Sequence, residues 1–194
     1  MVYCFFGYKH LGYLGDYLYF LLQQKVKNRK AGMNQATLCI LVKENSSDKE
    51  ILLAMKKRGF GQGKWNGVGG KIDTEKGDKD IFDTAIRETE EEIGVKIKNP
   101  ERVAILSFYF PYKKKWDQDV HVFLVKDWKG ELAESKEMLP KWFKLNEIPF
   151  NEMWDDDKYW LPHILEGKKI KGDFIFKEGE IIDKQNIKFT NEIL

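Results

Sequence analysis

The segment 82–95, FDTAIRETEEEIGV, places four glutamates within five positions. On a helix, Glu88, Glu91 and Glu92 are neighbours three and four residues apart on one flank, whereas Glu90 points away from them. Like charges at these spacings repel, and a hard divalent cation such as Mg²⁺, which takes oxygen ligands, would turn that repulsion into attraction. The residue types therefore allow a metal site, although a solvated acidic face explains the same charge pattern.

An apolar stripe at helical spacing predicts that this segment is a helix packed on a core. Its members are Phe82, Ala85, Ile86, Thr89 and Ile93. Asp78 or Asp80 can cap the start of the helix, and Gly94 suits the left-handed residue that ends one. The acidic flank, meaning Glu88, Glu91 and Glu92, would then be fixed relative to the rest of the fold.

Apolar and alternating runs predict the strands that must position this helix. They lie at 36–42, 51–57, 103–110 and 119–128, with a short strand and a turn over 140–150 and one or two short strands after 171. A Gly-rich loop occupies 59–70, and a second helix is predicted over 155–167, where it begins at acidic residues. Strands interleaved with helices indicate an α/β domain with a mixed sheet between helices.

Composition limits the function classes. The 194 residues carry a net charge of +2, which gives no electrostatic argument for a nucleic-acid polymer or an anionic membrane as partner. Cys4 and Cys39 lie in no metal-type spacing and form no disulfide framework, which fits a reducing cytoplasm. We therefore expect a cytoplasmic protein that acts as a monomer on a small molecule.

The first 32 residues differ from the rest of the chain. Eight aromatics occur in the first twenty positions, and a basic stretch follows. No uncharged run reaches the roughly 18 residues that a membrane span needs. Two interpretations remain: upstream sequence read in frame ahead of a start at Met33, or a peripheral or membrane-associated helix. We expect an extension over 1–32 and one domain over 33–194, with no membrane contact unless 1–32 are retained.

A family resemblance rests on the residues GGKID (69–73) and RETEEEIGV (87–95). They resemble the signature of the Nudix family, G-x5-E-x7-R-E-U-x-E-E-x-G-U, in which U is a bulky apolar residue. The second half of the signature is matched by Arg87, Glu88, Glu91, Glu92, Gly94 and Val95. Thr89, at the first U position, is less apolar than usual.

The first half of the signature departs from this pattern. Sixteen residues separate Gly70 from Arg87, where the signature has thirteen, and its first Glu would fall on Lys79. Candidates to replace that Glu are Glu75, Asp78 and Asp80. The insertion affects the geometry of the loop more than it affects metal binding, because the helical half is intact.

Further segments resemble one branch of this superfamily, the oxidised-purine nucleoside triphosphatases of the 8-oxo-dGTP diphosphatase type. They lie at 55–71, 119–123, 134–143, 148–162 and 168–176, so the resemblance covers about residues 33–180. It implies a Nudix fold, an α/β/α sandwich around a mixed β-sheet. It also implies hydrolysis of an oxidised purine nucleoside triphosphate to the monophosphate and pyrophosphate, which sanitises the nucleotide pool, with Mg²⁺ as cofactor and Mn²⁺ as the alternative.

The resemblance also implies roles for individual residues. It makes Glu88, Glu91 and Glu92 metal ligands and assigns catalysis to Arg87, Glu91, Glu92 and Glu137. Arg87 would orient a carboxylate, whereas Glu137 would be an extra ligand or a base. It assigns the phosphate loop to Gly69, Gly70 and Lys71 and places Lys56 near the nucleotide.

The base would be bound by aromatic and acidic residues that match the same branch. They are Phe60, Asn66, Phe108, Phe110, Trp154, Asp156 and Asp157. Two close carboxyl groups tend to share a proton, so that one donates a hydrogen bond and the other accepts one. Asp155 stands where the resembled enzymes have proline. Without the resemblance, Asp155, Asp156 and Asp157 are interpreted as caps of the 158–166 helix. Each aromatic residue is then interpreted as part of the ordinary core.

Two other functions agree with the same residues. One is a Nudix pyrophosphatase with another nucleotide substrate, against which Asn66, Trp154, Asp156 and Asp157 argue. The other is a Nudix module that binds nucleotides without catalysis, which the insertion and the missing first Glu suggest. The intact acidic flank argues against this second alternative.

Overall fold

The computed structural model describes residues 33–44 and 48–191. From Asn34 onward these residues form one compact unit. The expectations for residues 1–32 lie outside the described residues, and the domain division at 32/33 stays a prediction. Within the described residues, no helix is long and apolar enough to cross a membrane.

Most strands of the described residues join one mixed sheet. The strands are β1 (Asn34–Glu44), β2 (Lys49–Lys56), β3 (Trp65–Asn66), β4 (Lys96–Lys98), β5 (Glu101–Tyr109), β6 (Gln118–Val125), β7 (Asp127–Lys129), β8 (Met138–Lys144), β9 (Lys169–Lys177) and β10 (Ile181–Thr190). In the described residues, the strand order of this sheet is β10-β9-β5-β6-β1-β2-β3. The eighth strand, β8, lies off this order and also pairs with β2. The pairs β1–β6 and β5–β9 are parallel, whereas β4 and β7 form a separate small ladder.

Two helices cover opposite faces of this sheet in the described residues, α1 (Ile81–Ile93) and α2 (Asp157–Leu165). Successive residues of a strand point to opposite faces. On β1, Cys39 and Leu41 pack in the cluster that contains α1, whereas Ile40 packs in the cluster that contains α2. The chain is therefore an α/β/α sandwich around a mixed sheet, as the sequence predicted.

The ends of α1 follow its sequence, but the predicted apolar stripe was partly wrong. The Asp80 carboxylate accepts from the backbone N–H groups of the second and third helical residues, and Gly94 ends the helix at φ 77°. Phe82, placed on the stripe, is 39% exposed, and its ring meets Phe123 edge to face at 5.2 Å and the Arg102 guanidinium at 5.8 Å. Ile81, the first residue of the helix, is buried instead, because its side chain packs in the cluster between the helix and the sheet.

Candidate active site

The Gly-rich loop lies directly against β1. Cys39 and Val68 exchange backbone hydrogen bonds of 2.7 and 3.0 Å. A Cβ atom at Gly69 would lie 2.2 Å from a carbonyl oxygen of β1, and one at Gly70 would lie 2.4 Å from Glu88 Oε1. Only glycine fits at position 69, because the obstacle there is backbone, whereas a side chain at position 70 would displace the Glu88 carboxylate. The loop backbone therefore lies next to the acidic flank of α1.

Arg87 ties this flank to the inserted loop. Its Nε and Nη2 donate to the two carboxylate oxygens of Asp78 at 2.8 and 2.7 Å, and its Nη1 donates to Glu88 Oε1 at 2.8 Å and to Glu91 Oε2 at 3.2 Å. Asp78 is buried, and the Arg87 guanidinium holds the pKa of its carboxyl far below the ordinary value.

The structure thereby distinguishes the three acids that could replace the missing first Glu. Asp78 holds Arg87, whereas Asp80 caps α1 and Glu75 is exposed. The backbone N–H of Asp73 and the hydroxyl of Thr84 also donate to Asp78. The Asp78 carboxylate is therefore fixed by four donors in all, two of them from Arg87.

Glu92 is the buried member of the acidic flank, with 6% of its surface exposed. Lys56 Nζ lies 3.0 Å from its Oε1, and the Gly69 N–H donates to its Oε2 at 3.3 Å. Burial raises the pKa of Glu92, and the nearby charge of Glu88 adds to this, although the Lys56 ammonium opposes it.

Glu137 lies on the other side of Lys56. Its Oε2 is 3.3 Å from Lys56 Nζ, and Arg58 forms an ion pair with its other oxygen. The Arg58 hydrogen bond, with help from Lys56, lowers the pKa of Glu137. Lys56 thus connects the acidic flank with Glu137, which lies in the sequence just before β8.

Every carboxylate of the acidic flank is engaged by a basic side chain. Glu91 is paired with Lys76 at 2.7 Å, Glu88 with Arg87 and Glu92 with Lys56. Within the described ranges, no three acidic, histidine or cysteine side chains converge as a metal site. The donors nevertheless fit a hard divalent cation chemically, because they are carboxylate oxygens on one helix flank that already attract positive charge.

A cavity of about 570 Å³ opens beside this flank. Most of the predicted site residues line it: Lys56, Phe60, Asn66, Gly69, Gly70, Lys71, Phe108, Phe110, Glu137, Trp154, Asp156 and Asp157. The remaining predicted residues, Arg87, Glu88, Glu91 and Glu92, lie outside its lining. We call the part around Trp154, Asp156 and Asp157 the base pocket.

Aromatic rings form the walls of the base pocket. Phe60 stacks on Trp154 with ring centroids 4.9 Å apart, and Phe110 stacks on Phe176 at 4.7 Å. Phe108 of β5 packs against Phe174 of β9, with ring centroids 5.5 Å apart. Phe60 is 43% exposed and lines the cavity, whereas Trp154 is nearly buried.

The two acids of the base pocket are almost fully buried, at 3% exposure for Asp156 and 2% for Asp157. Trp160 Nε1 donates to Asp156 Oδ2 at 2.8 Å, and the Trp154 N–H donates to Asp157 Oδ2 at 3.0 Å. Burial raises the pKa of Asp156 to about 7, and burial together with the charge of Asp156 raises that of Asp157 well above its ordinary value.

The capping interpretation of these acids is wrong for the pair. Asp156 occupies the N-cap position of α2 but makes no side-chain cap bond. Asp155 turns elsewhere: it accepts from the Ile182 N–H of β10 at 2.9 Å and forms an ion pair with Lys158. The pair therefore faces the cavity, while the third acid ties the turn to β10.

Sequence reasoning missed four residues that shape the site. Trp160 anchors Asp156, Arg58 holds Glu137, and Lys64 and Phe176 line the cavity. Trp160 lies four positions after Asp156 on a predicted helix, so helical spacing could have found it. The others depend on tertiary contacts that leave no local signal.

Comparisons with known proteins identify the family of the chain. A match to the NUDIX domain covers residues 33–164. Since that is more than half of the chain, the protein belongs to the Nudix family.

Individual relatives define the branch more closely. The chain is 43% identical over 134 residues to a mouse protein named oxidized purine nucleoside triphosphate hydrolase, a match that covers 69% of this chain and 83% of the relative. A zebrafish protein of the same name is 42% identical over 132 residues, covering 68% and 82%. A crystal structure of a MutT protein from Bacillus halodurans superposes with a TM-score of 0.68 at 26% identity, covering 80% of this chain and 98% of the other. The chain is thus a Nudix hydrolase with relatives of that name, and the resemblance seen in the sequence is confirmed.

Proposed function

We propose that this protein hydrolyses oxidised purine nucleoside triphosphates of the 8-oxo-dGTP and 2-hydroxy-dATP type to the monophosphate and pyrophosphate. Its role would be to remove damaged nucleotides from the pool before polymerases use them. The mouse and zebrafish relatives carry a name that states this substrate class. We expect the protein to act as a monomer in the cytoplasm.

The observation that carries this proposal is the buried acid pair beneath an aromatic wall. Asp156 and Asp157 are two carboxyl groups with raised pKa values, so near neutral pH one can keep its proton while the other ionises. The pair then offers a donor and an acceptor to a purine edge, and Asn66 lines the same cavity with an amide that does both. Trp154 and Phe60 supply faces for stacking, worth roughly 1–3 kcal/mol per base.

The triphosphate would extend from the base pocket toward the Gly-rich loop and Lys71. Lys56, which is already drawn toward two carboxylates, can place its ammonium charge against a phosphate oxygen. Arg87, clamped by Asp78, fixes the orientation of Glu88 and limits its rotamers. Lys56, Lys71 and the loop would thus contact the phosphates, whereas Arg87 would act through the position of Glu88.

We assign the metal ligands to Glu88, Glu91 and Glu92, with Glu137 as a further ligand or base. The cation would be Mg²⁺, or Mn²⁺ as the alternative, because both take carboxylate oxygens. When bound, such a cation supplies charge stabilisation to the phosphates and lowers the pKa of bound water. Glu92 is suited to take part because it is buried beside Glu88 and already holds one positive charge, the Lys56 ammonium, against its carboxylate.

A substrate panel tests the proposal. Pyrophosphate release would be measured with Mg²⁺ from 8-oxo-dGTP, 2-hydroxy-dATP and dGTP, using the full chain and a chain that starts at Met33. We expect a strong preference for the oxidised bases in both. Equal turnover of dGTP would support hydrolysis by a Nudix enzyme but would contradict the proposal that the base pocket selects oxidised purines. No activity from either chain would favour a module that binds nucleotides without catalysis.

A further inference from the structure

Lys64 lines the same cavity as the acid pair. Its Nζ donates to the Met153 carbonyl at 3.5 Å, and the N–H of the same peptide group, that of Trp154, donates to Asp157 at 3.0 Å. The Lys64 backbone is held in the β2–β3 turn, where its carbonyl accepts from the Lys56 N–H at 3.0 Å. Its Nζ lies 5.0 Å from the centroid of a Trp154 ring and 3.8 Å from Glu180 Oε2. The ammonium is thus held at the wall that the base would contact.

Charged side chains on neighbouring segments of the described residues surround the acid pair. Asp155 precedes the pair and raises the pKa of Asp156 by its charge. Lys158 on α2 is paired with Asp155, and Glu180 in the β9–β10 turn is paired with Lys64. These neighbours are Asp155, Lys158, Glu180 and Lys64. Lys64 lowers the pKa of both buried acids, against the effect of burial.

We propose that Lys64 is a specificity-determining residue: its ammonium keeps one carboxyl group of the base pocket ionised while the other keeps its proton, so that the pocket offers one acceptor and one donor. This inference rests on the proposed function, because it concerns which purine edges the pair can read. Without a cation in the wall, burial and mutual repulsion would favour a doubly protonated pair. A doubly protonated pair offers two hydrogen-bond donors, so it would select purines whose edge has a different pattern of donors and acceptors.

The sign of the pH effect follows from this arrangement. Removing the cation disfavours ionised carboxyl groups, so both titration midpoints of the pair move to higher pH. Activity that needs one ionised and one protonated acid is bell-shaped in pH, and the whole bell then moves upward. At neutral pH the variant has less of the singly ionised pair than the native protein.

The experiment compares Lys64→Met with Lys64→Arg in the full chain. Carboxyl ¹³C NMR would follow the titration of Asp156 and Asp157, and pH profiles of kcat/KM would be measured for 8-oxo-dGTP and 2-hydroxy-dATP. We expect Lys64→Met to raise the midpoints by about half a pH unit or more, to move both profiles upward, and to change the ratio of the two substrates at pH 7. Lys64→Arg keeps the charge and should restore midpoints, profiles and ratio.

Lys168→Met is the matched control. Lys168 also lies over an aromatic ring, 5.3 Å from the Phe189 centroid, and is paired with Glu166 at 2.7 Å, but it is outside the cavity lining. It should leave midpoints and substrate ratio unchanged. If Lys64→Met fails to fold by circular dichroism, Lys64→Gln takes its place.

The outcomes separate this inference from the proposed function. Superimposed profiles and an unchanged ratio in Lys64→Met would overturn it, as would a shift of the midpoints without any change of ratio. An equal effect of Lys64→Arg would also overturn it, since charge would then not be the cause. If the native protein shows no preference for oxidised bases, the proposed function fails, whereas the NMR midpoints still decide whether Lys64 controls the charge of the pair.

Discussion

The base pocket and the acidic flank handle buried negative charge in opposite ways. In the base pocket, Asp156 and Asp157 face each other's charge without a direct basic partner in the described contacts, and burial raises their pKa values. Along the acidic flank and its support, Arg87, Lys56 and Lys76 each pair with carboxylates.

This difference reflects what each region would do. A carboxyl group that keeps its proton can donate a hydrogen bond to a base, and a raised pKa favours that form near neutral pH. A carboxylate that binds a cation must be ionised, and a basic side chain beside it favours that form. The comparison predicts that substitutions in the two regions will have different consequences.

The largest effect is expected from Glu92→Gln. It removes the buried charge of the acidic flank but keeps the shape, so kcat should fall by at least two orders of magnitude. The measurement is steady-state pyrophosphate release across an Mg²⁺ titration. Glu90→Gln, on the exposed side of the same helix, is the control and should stay within about twofold of native activity. Near-native turnover by Glu92→Gln would remove this residue from the site.

Asp156→Asn should act on base recognition and leave the phosphate side intact. The amide can still accept from Trp160, so the fold is retained, but it cannot ionise. We expect kcat/KM for 8-oxo-dGTP to fall by about 10–100-fold, with a much smaller loss for dGTP. The ratio of the two substrates is the internal control. An equal loss for both would contradict a role in reading the base.

Asp78→Asn tests the support of the acidic flank through stability. Asp78 is buried and holds Arg87 through two hydrogen bonds, so removing its charge should cost about 2 kcal/mol in the free energy of unfolding, measured with urea. Asp127→Asn breaks an exposed pair with Lys98 and should cost less than about 0.5 kcal/mol. Equal costs would show that the buried pair does not stabilise the fold.

The fold was predictable because its signals are local and repeated. Alternating and apolar runs located β1, β2, β5 and β6, and Asp80 and Gly94 bounded α1. The segment after 171 was predicted as one or two short strands, whereas β9 has nine residues and β10 has ten. The run 119–128, predicted as one strand, divides into β6 and β7, and β7 pairs with β4 instead of the main sheet. A ladder of three residues per strand carries no period strong enough to be read from the sequence.

The site was predictable only where a motif fixed its residues. Gly70 and the acidic flank were identified from their spacing, but the inserted loop left Glu75, Asp78 and Asp80 equivalent in the sequence. Burial against Arg87 distinguishes Asp78, and burial is a tertiary property. For the same reason Lys64, which reaches the base pocket through the fold, had no signal of its own.

Asp78, which supports the acidic flank, and the acid pair of the base pocket should also respond to pH with opposite signs. The pKa of Asp78 is lowered on folding, so its contribution to stability is present above about pH 4 and is lost as the pH falls below that value. The pKa values of Asp156 and Asp157 are raised on folding, so their contribution is present below about pH 4 and is lost as the pH rises toward about 7.

Asp157→Asn separates these two effects. The amide keeps an acceptor for the Trp154 N–H and removes a buried group that resists ionisation. The variant should therefore be more stable than the native protein by about 1 kcal/mol at pH 8, measured with urea, and should lose this advantage near pH 4. A difference that does not change with pH would mean that the pair is not held protonated by burial. In that case the base pocket would handle its charge as the acidic flank does, and the contrast between the two regions would disappear.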